Sequence, residues 1–292
     1  MNSHVDSTLP SPGAADDCAG VVSSLEAIRV LVGTPERLHN SVVFLFNGAE
    51  ESLQDASHLF ITQHPLKDTI RSVINLEAVG TAGRELLFQA TNEQMIRAYS
   101  HAPRKYGSIL ASEIFGSGAI VSDTDFRQFV QYGNLTGLDM AFISNSYMYH
   151  TRQDIAKNLE AGSLTNMGEN LIALLRQLTL PGTVLTGKAD QTKTPIFFNA
   201  LGPTFFFVYS PETALQIYGA ISLVLGAILL DRMRKDQKLL QWYSLLALFG
   251  SLLGAVICSN VVAAVMDQLK PLSFFRQYVS TSFSMHRSVF GQ

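Results

Sequence analysis

The spacing of apolar positions changes several times along the chain, and each change marks an element. Between Ala19 and Val32 the residues Val21, Val22, Leu25, Ile28 and Leu31 recur at helical spacing. Ser41–Phe46, SVVFLF, is a short continuous apolar run, the pattern of a buried strand. Ser52–Thr62 returns to helical spacing. Ser72–Val79 (SVINLEAV), Glu85–Ala90 (ELLFQA) and Leu138–Ile143 (LDMAFI) predict three further strands. Helical patterns cover Glu93–His101, Asp123–Tyr132 and Ser163–Thr179, the last opening on Ser163 as its cap, with Asn166 three residues on. Strands alternating with helices predict an α/β domain over residues 1–180 with a mostly parallel central sheet.

Beyond residue 180 the pattern differs. Residues 181–195 read as a polar linker, and 196–292 as a membrane region. IFFNALGPTFFFVYS, residues 196–210, is strongly apolar but interrupted by Gly202 and Pro203, and reads either as an interfacial segment or as the start of a span. Thr213–Leu230 and Leu239–Met266 contain no charged residue. A bilayer core of ~30 Å needs about 20 apolar helical residues. Neither stretch carries the polar stripe of a helix at the surface of a soluble core, so spans are expected near 213–230 and 244–266. The loop between them, DRMRKDQK, holds Arg232, Arg234, Lys235 and Lys238. A short basic loop stays cytoplasmic, which makes the spans a hairpin and places residues 1–212 on the opposite side, lumenal or extracellular. Asn134-Leu135-Thr136 is a glycosylation sequon usable there.

Composition fits this division. The chain is 47% hydrophobic and only 15% charged, against ~25% charged in an average soluble domain. A net charge of −3 supplies no basic face for nucleic acid. Cys18 and Cys258 imply no disulfide framework. The polar start, MNSHVDSTLPSPG, is no cleavable signal, so a lumenal domain would need an upstream span.

Ligand-type residues gather where strands are expected to end, which is where sites form in α/β sheets. In His4-Val5-Asp6 the two polar side chains point to one side if the segment ends a strand, and Asp6 can take the imidazole's second N–H. Gly13-Ala14-Ala15-Asp16-Asp17 leads into a helix, where a carboxylate could bridge two cations. SVVFLF runs into Asn47-Gly48-Ala49-Glu50-Glu51, where one carboxylate can ligate metal while the other serves as general base. Glu77 ends another strand, and His150 follows LDMAFI after a short loop. Each piece alone has an ordinary reading, since Asp and Glu cap helices and lone histidines are common. Together, two histidines and several carboxylates at strand ends form a nitrogen and oxygen donor set without thiolate, suited to zinc, manganese or cobalt.

The ordered segments H-V-D-S, P-G-A-A-D-D-x-A-G, N-G-A-E-E, N-L-E-A-V-G, S-D-T-D-F and Y-H-T-x-x-D resemble the di-zinc aminopeptidase family, and most of all its membrane branch, over roughly residues 3–180. The resemblance implies a three-layer α/β/α zinc-exopeptidase domain followed by a transmembrane helical hairpin. It implies two zinc ions: His4 and Glu77 on one, Glu51 and His150 on the other, and Asp16 bridging. Glu50 would be the general base and Asp6 would orient His4. Asp125, Tyr149 and Asp154 lie in family motifs without an assigned role. A peptide or protein substrate, the lipid bilayer as partner, and a multi-pass position in the endoplasmic reticulum membrane follow from the resemblance. The family has strands and a helix before its first histidine, and the membrane branch has spans on both sides. The chain therefore reads as truncated at both ends. Two other readings compete: an inactive relative or fragment that serves as a scaffold, and acyl transfer of the glutaminyl cyclase type.

Overall fold

The computed structural model describes residues 1–35, 37–116, 123–185, 195–202, 204–235 and 240–269. They divide into two compact units, Met1–Leu215 and Gln216–Gln292.

The first unit is a mixed α/β domain. Its chain order is β1 (Asn2–His4), α1 (Cys18–Gly33), β2 (Leu45–Asn47), α2 (Glu50–Leu53), α3 (Asp55–Gln63), β3 (Ser72–Ala78), β4 (Ala82–Ala90), α4 (Glu93–Tyr99), α5 (Ile109–Gly116), α6 (Asp125–Gln131), β5 (Thr136–Ser144), α7 (Ser163–Leu178), β6 (Ile196–Ala200) and β7 (Phe205–Tyr209). The central sheet runs β2-β1-β3-β5-β4. All pairs in it are parallel except β4 with β5. Parallel strands end at the same edge, so the loops after β1, β2, β3 and β5 converge there.

Strand alternation divides the sheet into two unlike faces. Ile74, Leu76 and Ala78 of β3 and Leu138, Met140 and Phe142 of β5 join one core with Met167, Leu171 and Leu174 of α7 and Ala27 and Leu31 of α1. The opposite face carries Val73, Asn75 and Glu77 of β3 and Asp139 of β5, all buried. Its apolar part is small: Val73 packs with Ile61 of α3 and Phe126 and Phe129 of α6. Helices thus cover both faces. Gly137 is required here, because a Cβ would lie 2.5 Å from Val73 and 2.8 Å from the Phe126 ring.

Most elements lie where the hydrophobic pattern places them, and the differences have local causes. The run 41–46 yields a strand only at Leu45–Asn47, because its partner β1 offers three residues, Asn2 to His4, to pair with Leu45 to Asn47. The helix expected over 52–62 is split at Gln54, whose φ is 59°. The cap of α7 is Gly162, at φ 94°, and Ser163 makes no cap hydrogen bond. Ile196–Ala200 and Phe205–Tyr209 pair as antiparallel strands, β6 with β7, inside the first unit. Of the linker, residues 186–194 lie outside the described residues.

In the second unit and leading into it, α8 (Pro211–Lys235) and α9 (Leu240–Leu269) are long helices. Among the described residues one helix is long and apolar enough to cross a membrane, Pro211–Arg232, and only 6% of its most apolar window is buried. That exposure separates it from the core helix of a soluble protein. Ser244–Cys258 is a shorter apolar stretch within α9. Residues 236–239 and the tail from 270 lie outside the described residues, as do the side chains of 240–243, 259–260 and 262–269.

Glu85 of β4 is a buried carboxyl in the apolar layer under α7. One oxygen accepts from Asn170 Nδ2 and the other has no hydrogen-bond partner. Burial pushes its pKa up to about 7, partly opposed by the Asn170 hydrogen bond. A carboxyl raised on folding stabilises the protonated fold. The contribution is fully present below the ordinary carboxylate range and is lost as pH climbs through about 7. The loss is on the order of 3 kcal/mol. Denaturant unfolding of the detergent-solubilised chain should therefore show stability falling between pH 5 and pH 8, and Glu85→Gln, which keeps the acceptor oxygen, should flatten that slope.

Candidate metal centre

The residues of the site come from the converging strand ends. His4 closes β1, Glu77 lies one residue before the end of β3, and Glu50 and Glu51 open α2 directly after β2. Asp16 stands in the loop between β1 and α1. His150 stands in the loop after β5, at φ 58°.

Two groups of donors share one carboxylate. His4 Nε2 lies 3.3 Å from Asp16 Oδ1 and 3.5 Å from Glu77 Oε2. His150 Nε2 lies 3.1 Å from Asp16 Oδ2 and 3.1 Å from Glu51 Oε2. His4, Asp16 and Glu77 form one triad able to hold a metal ion, and Asp16, Glu51 and His150 form a second. His4 Nε2, His150 Nε2 and Asp16 Oδ2 are buried without a hydrogen-bond partner. A buried polar atom left without a partner costs about 1–3 kcal/mol. A cation at each triad would accept those lone pairs. Nitrogen and oxygen donors without thiolate fit zinc and its neighbours.

The surrounding groups hold these donors in place. His4 Nδ1 donates to the backbone carbonyl of Asp6 at 3.0 Å, with the Asp6 carboxylate at 3.4 Å. A carbonyl can only accept, so in the neutral ring Nε2 is the free lone pair. The Asp6 carboxylate also accepts the amides of Glu50 at 3.3 Å and Glu51 at 3.2 Å, which fixes the start of α2. Asp154 accepts the amides of Ala15 at 2.6 Å and Asp16 at 3.2 Å and so sets the loop that carries Asp16. Asp17 caps α1 by accepting from Gly20, and accepts the amide of His4 as well. Thr8 donates its amide to Glu51 Oε1, leaving Oε2 to face His150. The Tyr149 ring stacks on His150 with centroids 3.6 Å apart.

Below the donors runs a buried amide network. Asn75 Nδ2 donates to Glu77 Oε1 at 3.1 Å and Asp139 Oδ1 at 3.0 Å, while its oxygen accepts from Asn2. Asn2 and Asn47 both donate to Asp125 Oδ2. Thr124 donates to Asp139. Hydrophobic patterning alone does not mark Asn2, Asn47, Asn75 or Asp139 as functional. The signal was present: Asn75 sits two residues before Glu77 in an otherwise apolar strand, on the same face, and Asp139 interrupts LDMAFI.

The electrostatics show an excess of negative charge. Burial alone would lower both imidazoles, but the carboxylates of Asp16 and Glu77 hold His4 well above its ordinary value. Asp16 and Glu51 likewise raise His150 to about 9. Burial would raise Asp16, yet the two histidines hold it below the usual range. Burial raises Glu77 to about 7, against the pull of His4. Burial and the neighbouring Glu77 push Glu50 up to about 10. Asp17 and Asp139 are raised well above the carboxylate range by burial first. Such clustering favours divalent cations as counter-charge.

A three-layer domain with two donor triads sharing one aspartate defines a class, and the sequence comparison gives the same one. Residues 1–175 match Peptidase family M28, and the chain belongs to that family. Within it the chain is similar to the putative endoplasmic reticulum metallopeptidase 1 of Schizosaccharomyces pombe. The identity is 49% over 279 residues, covering 94% of this chain and 33% of that protein. The endoplasmic reticulum metallopeptidase 1 of Mus musculus is 36% identical over 286 residues, covering 94% of this chain and 32% of that protein. The chain thus spans about a third of the length of these curated relatives. Among solved structures, the zinc aminopeptidase BSAP of Bacillus subtilis overlaps with a TM-score of 0.47 at 19% identity, over 64% of this chain and 48% of that one.

Asp154 touches the backbone around Asp16 and no other donor of the two triads. Asp154→Asn replaces one acceptor oxygen with an amide donor facing backbone N–H groups. It should lower metal content as measured by mass spectrometry after dialysis, typically by 10- to 100-fold in affinity for such a supporting group, while leaving the thermal unfolding of the metal-stripped chain within a few degrees of the parent.

Proposed function

We propose that the chain carries the catalytic part of a two-zinc exopeptidase, anchored in the endoplasmic reticulum membrane. The observation that carries this reading is the sharing of Asp16 between two triads. His4 and Glu77 would hold one zinc, Glu51 and His150 the other, and the two oxygens of Asp16 would bridge them. When bound, the zinc ions would supply Lewis acidity, lowering the pKa of a shared water and polarising the scissile carbonyl. Glu50 opens α2 beside Glu77 and His4 and makes no hydrogen bond through its carboxylate among those described. With metal bound, its carboxylate would accept a proton from the attacking water and hand it to the leaving amine. Asp6 orients both sides of the site, His4 through its carbonyl and the Glu50–Glu51 turn through its carboxylate. The substrate is a peptide or protein chain end.

The helix Pro211–Arg232 supports the membrane anchor, with α9 as a second span. Arg232, Arg234 and Lys235 at the end of α8 favour the cytoplasm, which puts the first unit on the lumenal side. Asn134 of the sequon is exposed and would be open to a glycan there. The names of the similar proteins support the endoplasmic reticulum as the compartment.

Glu50→Gln removes the proton acceptor and leaves every metal-facing atom unchanged. Zinc by mass spectrometry should stay at about two ions per chain, while hydrolysis of aminoacyl and peptidyl reporter substrates falls about 10²- to 10⁴-fold. Near-normal turnover in that variant would remove Glu50 as the base. His150→Ala should lower the zinc content, and a parent chain that holds only one zinc would sink the two-metal reading.

A further inference from the structure

The hairpin of β6 and β7 has two unlike faces. Phe197, Asn199, Phe206 and Val208 alternate onto the inner one. Phe197 is fully buried, and Phe206 packs edge-on against Tyr99 of α4 at 5.9 Å. Asn199 Oδ1 accepts the backbone amide of Gly107 at 2.7 Å, and the Asn199 backbone N–H donates to the Gly107 carbonyl at 3.2 Å. Gly107 in turn pairs with Leu87 of β4. The approach is close, since a Cβ on Gly107 would stand 3.1 Å from the Phe206 ring. The hairpin is therefore fastened to the peptidase domain through both its backbone and its inner side chains.

The outer face carries Ile196, Phe198, Phe205, Phe207 and Tyr209. Phe198 and Phe207 lie 5.4 Å apart, Phe205 and Phe207 6.1 Å, and Phe198 and Tyr209 6.2 Å. The row is open at Phe205, 49% exposed, and Phe207, 44% exposed, with Phe198 and Tyr209 half-buried beside them. Residues 195–210 contain no charge. An exposed contiguous aromatic patch of this kind marks a binding surface.

We propose that the outer face of this hairpin lies at the headgroup level of the lipid bilayer and fixes the peptidase domain against the membrane. The chain itself supplies the argument for lipid as the occupant. Tyr209 is followed after one residue by Pro211, the start of the apolar helix Pro211–Arg232. Pro211–Leu215 belong to the same compact unit as the hairpin, and one residue of chain separates the row from the start of α8. A 22-residue helix is ~33 Å long, enough to cross the ~30 Å hydrocarbon core, with its two ends at the two interfaces. Its basic residues lie at the far end. The near end must then enter the bilayer within a few ångströms of Tyr209. Aromatic side chains concentrate at that depth, where a flat apolar ring and a polar edge are both accommodated. The inference rests on the reading of α8 as a span.

The test uses the full chain reconstituted in phosphatidylcholine liposomes, with its one tryptophan replaced (Trp242→Phe) and a reporter introduced by Phe207→Trp, and separately by Phe205→Trp. Leu223→Trp, near the middle of α8, reports on the span. The lipids carry bromine either near the headgroup or near the acyl chain end. The hairpin probes should show blue-shifted emission and be quenched more by the shallow bromines, and the Leu223 probe more by the deep ones. Hairpin probes that neither bromine position quenches, beside a deeply quenched Leu223 probe, would overturn the proposal and leave the anchor standing. No quenching of the Leu223 probe would remove the anchor, and the proposal with it.

Discussion

One aspartate divided between two imidazoles sets the conditions for the rest of the site. Asp16 presents one oxygen to His4 and the other to His150, at 3.3 and 3.1 Å. One ring ends strand β1 and the other stands in the loop after β5, so the carboxylate must be held from behind. Asp154 does this by taking two consecutive backbone amides, and Asp17 by joining the end of β1 to the start of α1. Charge-assisted hydrogen bonds of this kind are about twice as strong as neutral ones. They fix a loop whose buried apolar packing comes from Ala15.

The second constraint is the unequal character of the sheet's faces. A parallel sheet is usually apolar on both. Here β3 and β5 give one face to a continuous core and the other to Asn75, Glu77 and Asp139. Burying these groups is unfavourable unless each is satisfied, and the chain Asn2–Asn75–Glu77, with Asn47 and Asp125 beside it, satisfies most of them. The stability of the domain therefore comes mainly from the α1 and α7 side. The side of α3 and α6, with five buried apolar residues, mainly positions polar groups.

The same asymmetry decides what could be read from the sequence. The strands 72–79 and 138–143 and the helices near 19–32 and 163–179 were legible because they border the large core, where apolar periodicity is strong. Strand-end position marked His4, the Asp16-Asp17 and Glu50-Glu51 pairs, Glu77 and His150, and the family resemblance chose Asp16 and Glu51 within the pairs; the structure groups the five into two triads that share Asp16. The double engagement of Asp6 was half visible. Its partnership with His4 follows from spacing, but its hold on the Glu50 and Glu51 amides depends on the turn after β2. The role of Asp154 was invisible, since it acts on backbone amides 138 and 139 residues away. The β6–β7 hairpin was hidden by composition: a strand pair with aromatic residues on both faces has no alternation to betray it.

Part of the backbone strain lies at the same place. Among the described non-glycine residues with φ near 60°, Ala49 precedes the Glu50–Glu51 pair and His150 is itself the second histidine, while Asn134 and Leu201 lie elsewhere. A left-handed conformation costs an L-residue roughly 1–2 kcal/mol, and it persists where the surroundings over-determine it. The amides of Glu50 and Glu51 held by Asp6 over-determine Ala49. At His150 the backbone contributes less, and stacking on Tyr149 with the facing carboxylates of Asp16 and Glu51 does most of the holding. The two triads are therefore unequal in preorganisation. His4 and Glu77 sit on strands, buried and hydrogen-bonded. His150 sits half-exposed on a strained loop whose position depends on charge. A cation at the second triad would fix that loop more than the loop fixes the cation, so the His4 side should form first and bind more tightly.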